Sequence, residues 1–309
     1  MSDNTRNMQE EQIQKILFVI NPISGGKLKQ DWEAFIRDYF KSLPHSIEFY
    51  ILTGKDDSSS INHYIERLAP DKVVGVGGDG TIKLIAELLH GKDIAIGILP
   101  AGSANGMAKE LNIPLAKEAA LDVVLNGEKK QTDVIQVNDE EICLHLSDFG
   151  LNAMLVHYFE NSNKRGMIGY AQGVLKMLWN KRKLHATITT DDDTFKRKAY
   201  MIVLANASKY GTGATINPEG KIDDGLFEVV IIRRLNFWGL LNMLIAHNNF
   251  NKEKIEIVST KSVKISLLYK SHFQVDGEYR GKTKTITAKV LSGCLNIMLP
   301  VPETQKSVA

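Results

Sequence analysis

The sequence of 309 residues contains only two cysteines, Cys143 and Cys294, and they are far apart. Two distant cysteines provide neither a disulfide framework nor a metal-binding spacing, and each lies in an apolar run that predicts a buried thiol in a reducing compartment. The formal net charge is only +2. A charge so close to zero gives no overall attraction to nucleic acid. It does not exclude a local basic patch that contacts a membrane surface.

Long apolar segments and internal repeats are also missing. The first 14 residues are polar and carry no hydrophobic region of a signal peptide, and no run reaches the ~18 apolar residues of a transmembrane helix. No repeat of ~20–50 residues is visible, which excludes solenoids and propellers. We therefore expect a cytoplasmic protein, with peripheral contact at the inner membrane face as an open alternative.

What the sequence does contain is an alternation of apolar strands and amphipathic helices in its first part. Four strand-loop-helix units, with strands at residues 16–20, 46–52, 73–77 and 94–99, predict a doubly wound parallel sheet. Three of these strands end in loops rich in Gly, Ser and Asn, at residues 21–27, 77–81 and 100–106. Ligands bind at the carboxyl ends of the strands in such sheets, so we expect the three loops to meet at one site.

The loop at residues 77–81 reads Gly-Gly-Asp-Gly-Thr and stands between an apolar strand and a helix. Glycine leaves no Cβ between backbone and ligand, and the N–H groups at a helix N-terminus attract anions. A phosphate-handling loop that contains Asp79 is therefore one interpretation. A tight strand-to-helix turn with a surface aspartate is the other, and the spacing alone does not separate them.

After residue 133 the pattern changes to short strands separated by Gly, Asp and Asn turns, which predicts a β-sandwich-like domain. Helical patterns interrupt this series near residues 169–179 and 237–247. The predicted organisation is a disordered tail (1–12), an α/β domain (13–133), a β-rich domain (134–299) and a second tail (300–309). The predicted fold class is therefore α/β, with an N-terminal doubly wound parallel sheet and a C-terminal β-sandwich-like domain.

Five segments then occur in a fixed order along the chain. They are Asn-Pro-Ile-Ser-Gly-Gly-Lys (21–27), Gly-Gly-Asp-Gly-Thr (77–81), Leu-Pro-Ala-Gly-Ser-Ala-Asn (99–105), Lys-Ile-Asp-Asp-Gly (221–225) and Val-Asp-Gly-Glu (275–278). Together they resemble the diacylglycerol kinase catalytic-domain family of soluble lipid kinases, which includes bacterial diacylglycerol kinases, related bacterial lipid kinases and sphingosine kinases. Each motif alone is weak, and the second is shared with NAD kinases, but the ordered set covers residues 14–299.

The resemblance implies an ATP-binding α/β domain and a lipid-substrate β-rich domain, with the active site in the cleft between them. It implies Mg²⁺-dependent transfer of the γ-phosphoryl group of ATP to the hydroxyl of a diacylglycerol-like or other long-chain lipid. Asp276 would be the general base, with an aspartate in a hairpin turn as the alternative, and Asp79 would orient Mg·ATP. The implied ATP-binding residues are Asn21, Ser24, Lys27, Thr53, Gly77, Gly78, Asp79, Gly80, Thr81 and Ser103.

The same resemblance implies a structural Mg²⁺ site near the reacting centre. Its ligands would be Asp224 and the carbonyls of Lys221 and Leu226, with Asp133 as a further acidic member of the network. Such oxygen ligands suit Mg²⁺. The implied partner is a lipid at a membrane surface rather than nucleic acid, and a homodimer stays open. An apolar helix near residues 169–179 with a basic end is a candidate for membrane contact, and a core helix is the alternative.

The sequence departs from the family pattern at two places. Gly106 stands where many diacylglycerol kinases carry a second acid, and Lys83 and Leu84 stand where the family usually has Asn and Glu. We interpret both changes as a loss of polar groups near the nucleotide or the acceptor. They keep two alternatives open: an NAD-kinase-like enzyme with a soluble acceptor, and a catalytically impaired homologue that only binds nucleotide or lipid.

Overall fold

The computed structural model describes residues 13–25, 31–160, 182–206, 220–234 and 255–301. Several sequence expectations lie outside the described residues: the phosphate contact of Lys27, the helices near 169–179 and 237–247, the tail at 1–12 and most of the tail at 300–309. Among the helices that are described, none has the length and apolar character needed to cross a membrane.

The first part of the chain is an α/β unit, as the alternating pattern predicts. Its elements are β1 (Lys15–Ile20), α1 (Trp32–Phe40), β2 (Ser46–Ile51), α2 (Asp57–Leu68), β3 (Lys72–Gly77), α3 (Asp79–Leu89), β4 (Ala95–Pro100), α4 (Gly106–Glu110) and α5 (Lys117–Asn126). The strands pair in parallel in the order β4-β3-β1-β2. Every residue of β3 and β4 is buried, as expected of parallel strands covered on both faces.

The rest of the described chain is rich in strands. Its elements are β5 (Glu128–Val137), β6 (Glu141–Cys143), β7 (Leu146–Gly150), α6 (Leu151–Glu160), β8 (Leu184–Thr190), β9 (Thr194–Ala199), β10 (Met201–Ala205), β11 (Phe227–Ile232), β12 (Ile255–Thr260), β13 (Ser262–Val275) and β14 (Glu278–Leu299). These strands pair with one another in antiparallel fashion. The sequence predicts one strand at 198–205, but the structure divides it at Tyr200 into β9 and β10.

The long strand β14 connects the two parts. It first pairs with β13, and its last residues return to the α/β sheet, where Asn296 and Ile297 pair in parallel with β4. The sequence predicts two strands here, at 285–290 and 295–299. The structure has one strand whose pairing with β5 shifts between Leu291 and Leu295, because Gly293 adopts a φ of 58°. The predicted domain boundary at residue 133 lies within β5, which pairs with β14 along both parts.

Two large hydrophobic cores follow this division, and β14 contributes to both. The core around the α/β sheet includes Phe18 together with Leu295 and Ile297 of β14. The core of the β-rich part includes Phe149 together with Ile286 of β14. The glycine-rich loops follow strands of the first core, and β14 links that core to the second.

The sequence pattern does not predict helix α6, which begins directly after β7. Asp148 in β7 is buried, and its carboxylate accepts hydrogen bonds from the backbone N–H of Ala153 (2.9 Å) and the side-chain amide of Asn152 (2.5 Å). Gly150 between them has a φ of 107°, which favours glycine. A buried aspartate and a glycine turn thus precede a helix in a segment for which the sequence pattern predicts no element.

Candidate active site

The three glycine-rich loops meet at the carboxyl ends of β1, β3 and β4, as predicted. The backbone N–H of Asn21 donates to the carbonyl of Val76 (2.9 Å), and its side-chain amide donates to Thr81 Oγ1 (3.3 Å). The hydroxyl of Ser24 donates to the carbonyl of Asn21 (2.8 Å). The N–H groups of residues 101 and 102 both donate to the carbonyl of Gly77. These contacts fix the loops against one another.

Glycines make this close approach of the loops feasible. A Cβ on Gly77 would lie 2.2 Å from Thr81 Oγ1, and a Cβ on Gly102 would lie 2.4 Å from the Cα of Gly78. Atoms cannot approach so closely without displacement of one of the loops. The second and third loops therefore pack backbone against backbone, and the N-terminus of α3 stays at the same edge of the sheet.

A cavity of about 570 Å³ opens at this edge between the first and third loops. Asn21, Ser24 and Gly102 contribute polar groups to its lining, and Trp32 and Ile51 contribute apolar surface. A concave site that combines apolar walls with a few polar groups is typical of a small-molecule pocket.

Asn21 and Ser24 are the predicted ATP-binding residues that line this cavity, while residues 77–81, Thr53 and Ser103 lie outside its wall. Thr53 is exposed at the end of β2, and its hydroxyl donates to Oδ1 of Asp57 (2.9 Å) rather than contributing to the cavity wall. Ser103 is exposed at the tip of the third loop. The structure therefore brings the first, second and third loops together but leaves these two hydroxyls at their margin.

Asp79 joins the second loop to the third. Its two carboxylate oxygens accept the backbone N–H groups of Gly106 (3.0 Å) and Met107 (2.9 Å), in the first turn of α4. Gly106 is the position at which many relatives would carry a second acid, and here its N–H is bound by the first one. Asp79 thus caps a neighbouring helix, a contact that the sequence did not predict.

One turn further along α3, Lys83 contacts the β-rich part. Lys83 is buried, with 4% of the residue exposed. Its ammonium pairs with Glu141, and it also lies 3.8 Å from Asp276 and 4.0 Å from Glu278. Burial alone would lower the pKa of Lys83, but the surrounding carboxylates, Asp276 first, raise it above its usual value. The interpretation of residue 83 as a lost polar group is therefore wrong, because Lys83 adds a buried cation between the two parts.

Asp276 lies in the turn between β13 and β14, with a φ of 48°. Its Oδ1 accepts the backbone N–H groups of His145 (2.9 Å) and Leu146 (3.2 Å), and its Oδ2 accepts that of Leu144 (2.9 Å). The thiol of Cys143 also donates to Oδ1, at 3.4 Å. The carboxylate of Asp276 thus holds residues 143–146 in place beside α3.

Glu278 and Arg280 complete the cluster around Lys83. Arg280 binds both Glu141 (2.5 Å) and Glu278 (2.6 Å). Burial alone would raise the pKa of Glu141, but Arg280 and Lys83 hold it below its usual value. The side chain of Glu278 is 50% exposed, so it is the open carboxylate of the Asp-Gly-Glu turn. The contact between Glu278 and Arg280 could be predicted from their spacing, because residues two apart on a strand share a face. Nothing in the sequence predicts that Glu141 joins them.

The residues predicted to bind metal gather around the turn at 221–226. Asp133 is buried, and its oxygens accept the N–H groups of Gly225 (2.7 Å) and Gly293 (2.8 Å). Asp224 is exposed, and its Oδ1 accepts the N–H of Leu226 (3.1 Å). Within the described ranges, no three His, Cys, Asp or Glu side chains form a metal-binding group. One exposed carboxylate with main-chain carbonyls fits a Mg²⁺ ion that keeps most of its waters, while Asp133 supports the turn.

The two cysteines are packing residues rather than reactive ones. Cys143 is fully buried, and burial together with the charge of Asp276 raises the pKa of its thiol well above the usual value. Cys294 is half-buried, and burial followed by the charge of Asp133 raises its pKa to about 11. Both thiols therefore stay protonated at neutral pH.

Comparisons with known proteins agree with this geometry. A family model described as the diacylglycerol kinase catalytic domain matches residues 15–137, and one described as the YegS C-terminal NAD kinase beta sandwich-like domain matches residues 147–299. A diacylglycerol kinase of Bacillus subtilis (strain 168) is 24% identical over 271 residues, which cover 85% of this chain and 89% of that protein. One of Staphylococcus saprophyticus is 26% identical over 221 residues, covering 69% and 72%.

Solved structures show the same fold. Two crystal structures from Bacillus anthracis str. Sterne, whose descriptions include the words diacylglycerol kinase, match with TM-scores of 0.76 and 0.70 at 20% and 18% identity. Each match covers 93% of this chain, and 98% and 97% of the respective chains.

The matched domains define a kinase with an α/β domain followed by a β-sandwich-like domain, which confirms the predicted fold class. The chain belongs to the diacylglycerol kinase catalytic-domain family, as its ordered motifs suggest, and its relatives are named as kinases of a lipid.

Proposed function

We propose that this protein transfers the γ-phosphoryl group of ATP to the hydroxyl of a diacylglycerol-like or other long-chain lipid. One observation carries the proposal: α3 begins in the glycine-rich loop, and one turn later its Lys83 contacts Asp276 and Glu278 of the Asp-Gly-Glu turn. A phosphate-binding segment and two carboxylates are thereby held on neighbouring elements. Phosphoryl transfer requires this kind of positioning more than it requires covalent chemistry.

The cavity between the first and third loops supports ATP as the phosphoryl donor. Trp32 and Ile51 offer an apolar wall for the base, while Asn21 and Ser24 lie on the side of the glycine-rich loops. Main-chain N–H groups and the N-terminus of α3 are suited to the phosphates. Lys27, Thr53 and Ser103 are proposed to contact the nucleotide as well.

Mg²⁺ is the proposed cofactor. When bound, it would neutralise charge on the phosphates during transfer. Asp79 is proposed to face Mg·ATP while it holds the first turn of α4. A second Mg²⁺ would be bound by Asp224 with the carbonyls of Lys221 and Leu226, and Asp133 keeps that turn in shape.

The proton acceptor is proposed to be a carboxylate of the Asp-Gly-Glu turn. Asp276 is the residue that the family resemblance implies, yet three backbone N–H groups already donate to its oxygens. Glu278 is half-exposed, and Arg280 binds one of its two oxygens, at 2.6 Å. This exposure favours Glu278 as the alternative base, in which case Asp276 would position the residues around it.

The test is transfer of labelled phosphate from ATP, with Mg²⁺, to micellar diacylglycerol, monoacylglycerol, ceramide or sphingosine, and separately to NAD. The variants are Asp276→Asn and Glu278→Gln. The matched control is Asp139→Asn, since Asp139 is an exposed carboxylate paired with Lys289. Loss of the general base should lower the rate by at least ~10²-fold.

The variants also separate the two candidate bases. A large rate loss in Glu278→Gln with a smaller one in Asp276→Asn assigns the base to Glu278, and the reverse assigns it to Asp276, provided that both variants keep the wild-type melting temperature. Labelling of NAD alone would identify the NAD-kinase-like alternative. Nucleotide binding without transfer to any acceptor would identify the impaired homologue, and either result would overturn the proposal.

A further inference from the structure

A strip of cationic side chains runs along one edge of the β-rich part. It is centred on β9, which among the described strands pairs only with β8. Two adjoining concavities, of about 720 and 510 Å³, share Lys196, Arg197 and Lys198 in their walls. The basic strip, as we define it, consists of Lys183, Lys196, Lys198, Arg233, Arg234 and Lys284.

The strand register places the central lysines on one outward face. Lys198 stands opposite His185, and Lys196 stands opposite Thr187. Ser266 of β13 pairs with Thr187 and continues the same row. Neither β8 nor β9 contains an acidic residue. The outward face of these strands therefore presents ammonium groups and hydroxyls without a carboxylate between them.

A carboxylate beside the strip, that of Glu256, is already neutralised. Glu256 accepts three hydrogen bonds from Arg197, and Arg233 lies 3.6 Å from it. Arg197 holds the pKa of Glu256 below its usual value despite partial burial. Lys196 and Lys198 take part in no ion pair with any residue that the structure describes. Since the whole chain carries a net charge of only +2, this positive charge is a local excess.

Large apolar side chains are exposed next to these lysines. The pairing of β13 with β14 is irregular between Ser266 and Ser271, and within that stretch Leu268 is 54% and Tyr269 is 76% exposed. Leu268 lines the second concavity together with Lys196. A row of cations alone would suit any polyanion, but exposed leucine and tyrosine suit a bilayer interface, where such side chains lie among the headgroups.

We propose that the basic strip, together with Leu268 and Tyr269, docks this protein on a bilayer that contains anionic phospholipid. The choice of a membrane as partner rests on the proposed function, because an acceptor with long acyl chains resides in a bilayer. Each lysine near an anionic surface strengthens binding about fivefold. The surface is formed by described strands and does not depend on the helix expected near residues 169–179.

The test is co-sedimentation of the full chain, without ATP, with vesicles of phosphatidylcholine containing phosphatidylglycerol and with vesicles of phosphatidylcholine alone. The strip variant is Lys196→Glu/Lys198→Glu. The control is Lys41→Glu/Lys92→Glu, which changes the net charge equally at exposed positions of the α/β part. We expect wild type and control to bind the anionic vesicles, and the strip variant to bind at least about tenfold more weakly. Tyr269→Ser should weaken binding several-fold without changing its salt dependence.

Three results would contradict the docking surface. The first is equal binding of anionic vesicles by the strip and control variants. The second is wild-type binding to phosphatidylcholine alone that is as strong as binding to the anionic vesicles. The third is binding of duplex DNA through the same lysines that is stronger than vesicle binding, which would indicate a nucleic-acid surface. Failure of the proposed function is distinguishable. A protein that binds anionic vesicles through the strip but phosphorylates no lipid contradicts only the kinase proposal, and one that phosphorylates micellar lipid but does not sediment with vesicles contradicts only the docking surface.

Discussion

The ammonium of Lys83 lies 3.8 Å from Oδ2 of Asp276, and both side chains are buried, with 6% and 8% exposed. The two residues come from opposite ends of the chain. Lys83 belongs to the helix that starts in the glycine-rich loop, and Asp276 belongs to the Asp-Gly-Glu turn. This contact is therefore a direct link between the segment proposed to bind phosphates and the carboxylates proposed to accept the proton.

Replacing Lys83 with methionine should destabilise the protein by about 3 kcal/mol, because removal of one partner leaves buried carboxylates without compensation. Urea unfolding followed by circular dichroism measures this change. The double variant Lys83→Met/Glu141→Gln should cost less than the sum of its single changes, since it removes both charges of one pair. Lys41→Met, at an exposed position, should stay within ~0.5 kcal/mol of wild type. A stable Lys83→Met variant would show that the cluster has no structural role.

Replacing Asp79 with alanine should release the first turn of α4. The amide N–H groups of Gly106 and Met107 lose their acceptor, so their hydrogen exchange should accelerate by about fivefold, which corresponds to a cap of ~1 kcal/mol. Asp79→Asn should give a smaller effect, because one amide oxygen remains as an acceptor. Ser103→Ala, at an exposed position of the third loop, serves as the control. Unchanged exchange at both amides in Asp79→Ala would contradict the capping role.

Gly77 and Gly80 belong to one motif but should respond differently to alanine. A Cβ at Gly77 would lie 2.2 Å from Thr81 Oγ1, whereas a Cβ at Gly80 would have no atom within 4 Å. Gly77→Ala should therefore lower stability by ~1–3 kcal/mol through overpacking. Gly80→Ala should be neutral or stabilising by up to ~1 kcal/mol, since alanine favours a helix. Melting temperatures of the two variants measure the difference, and equal values would argue against the loop geometry.

Asp148 should make stability depend on pH. Burial raises its pKa to about 6 from an ordinary value of 3.8, although Asn152, Gln274 and Ala153 donate hydrogen bonds to the carboxylate. Between these pH values the folded state keeps the proton and the unfolded state releases it. Stability contributed by the protonated form is thus complete below pH 3.8 and is lost as pH rises through about 6.

The comparison that isolates this effect is wild type against Asp148→Asn. The free energy of unfolding of wild type, minus that of the variant, should fall by roughly 2 kcal/mol between pH 4 and pH 6. The two proteins must be compared because His272 also titrates in this range. Burial lowers the pKa of His272 to about 4, so its ionisation changes stability in the opposite direction. Parallel pH curves for the two proteins would show that Asp148 is ionised in the folded state throughout.

Much of the fold follows from local pattern. The alternation of apolar strands and amphipathic helices predicts the α/β sheet, and the strand ends place the glycine-rich loops at one edge. The strands of the β-rich part are harder to predict from the sequence, since bulges and irregular pairing divide or join them. Thus β14 is one strand where the sequence suggests two, and α6 begins beside the buried Asp148, whose contact with Ala153 only the folded chain shows.

The sequence by itself determined the family, the order of the motifs and the convergence of the three loops, because each depends on residue type and on spacing along the chain. Only the tertiary structure decided what these residues contact. Asp79 caps α4, Asp133 supports the 221–226 turn, and Lys83 pairs with carboxylates brought by distant strands. Burial and charge pairing depend on which side chains the folded chain brings together. These residues are far apart in sequence, so no local sequence pattern shows that they are close in the structure.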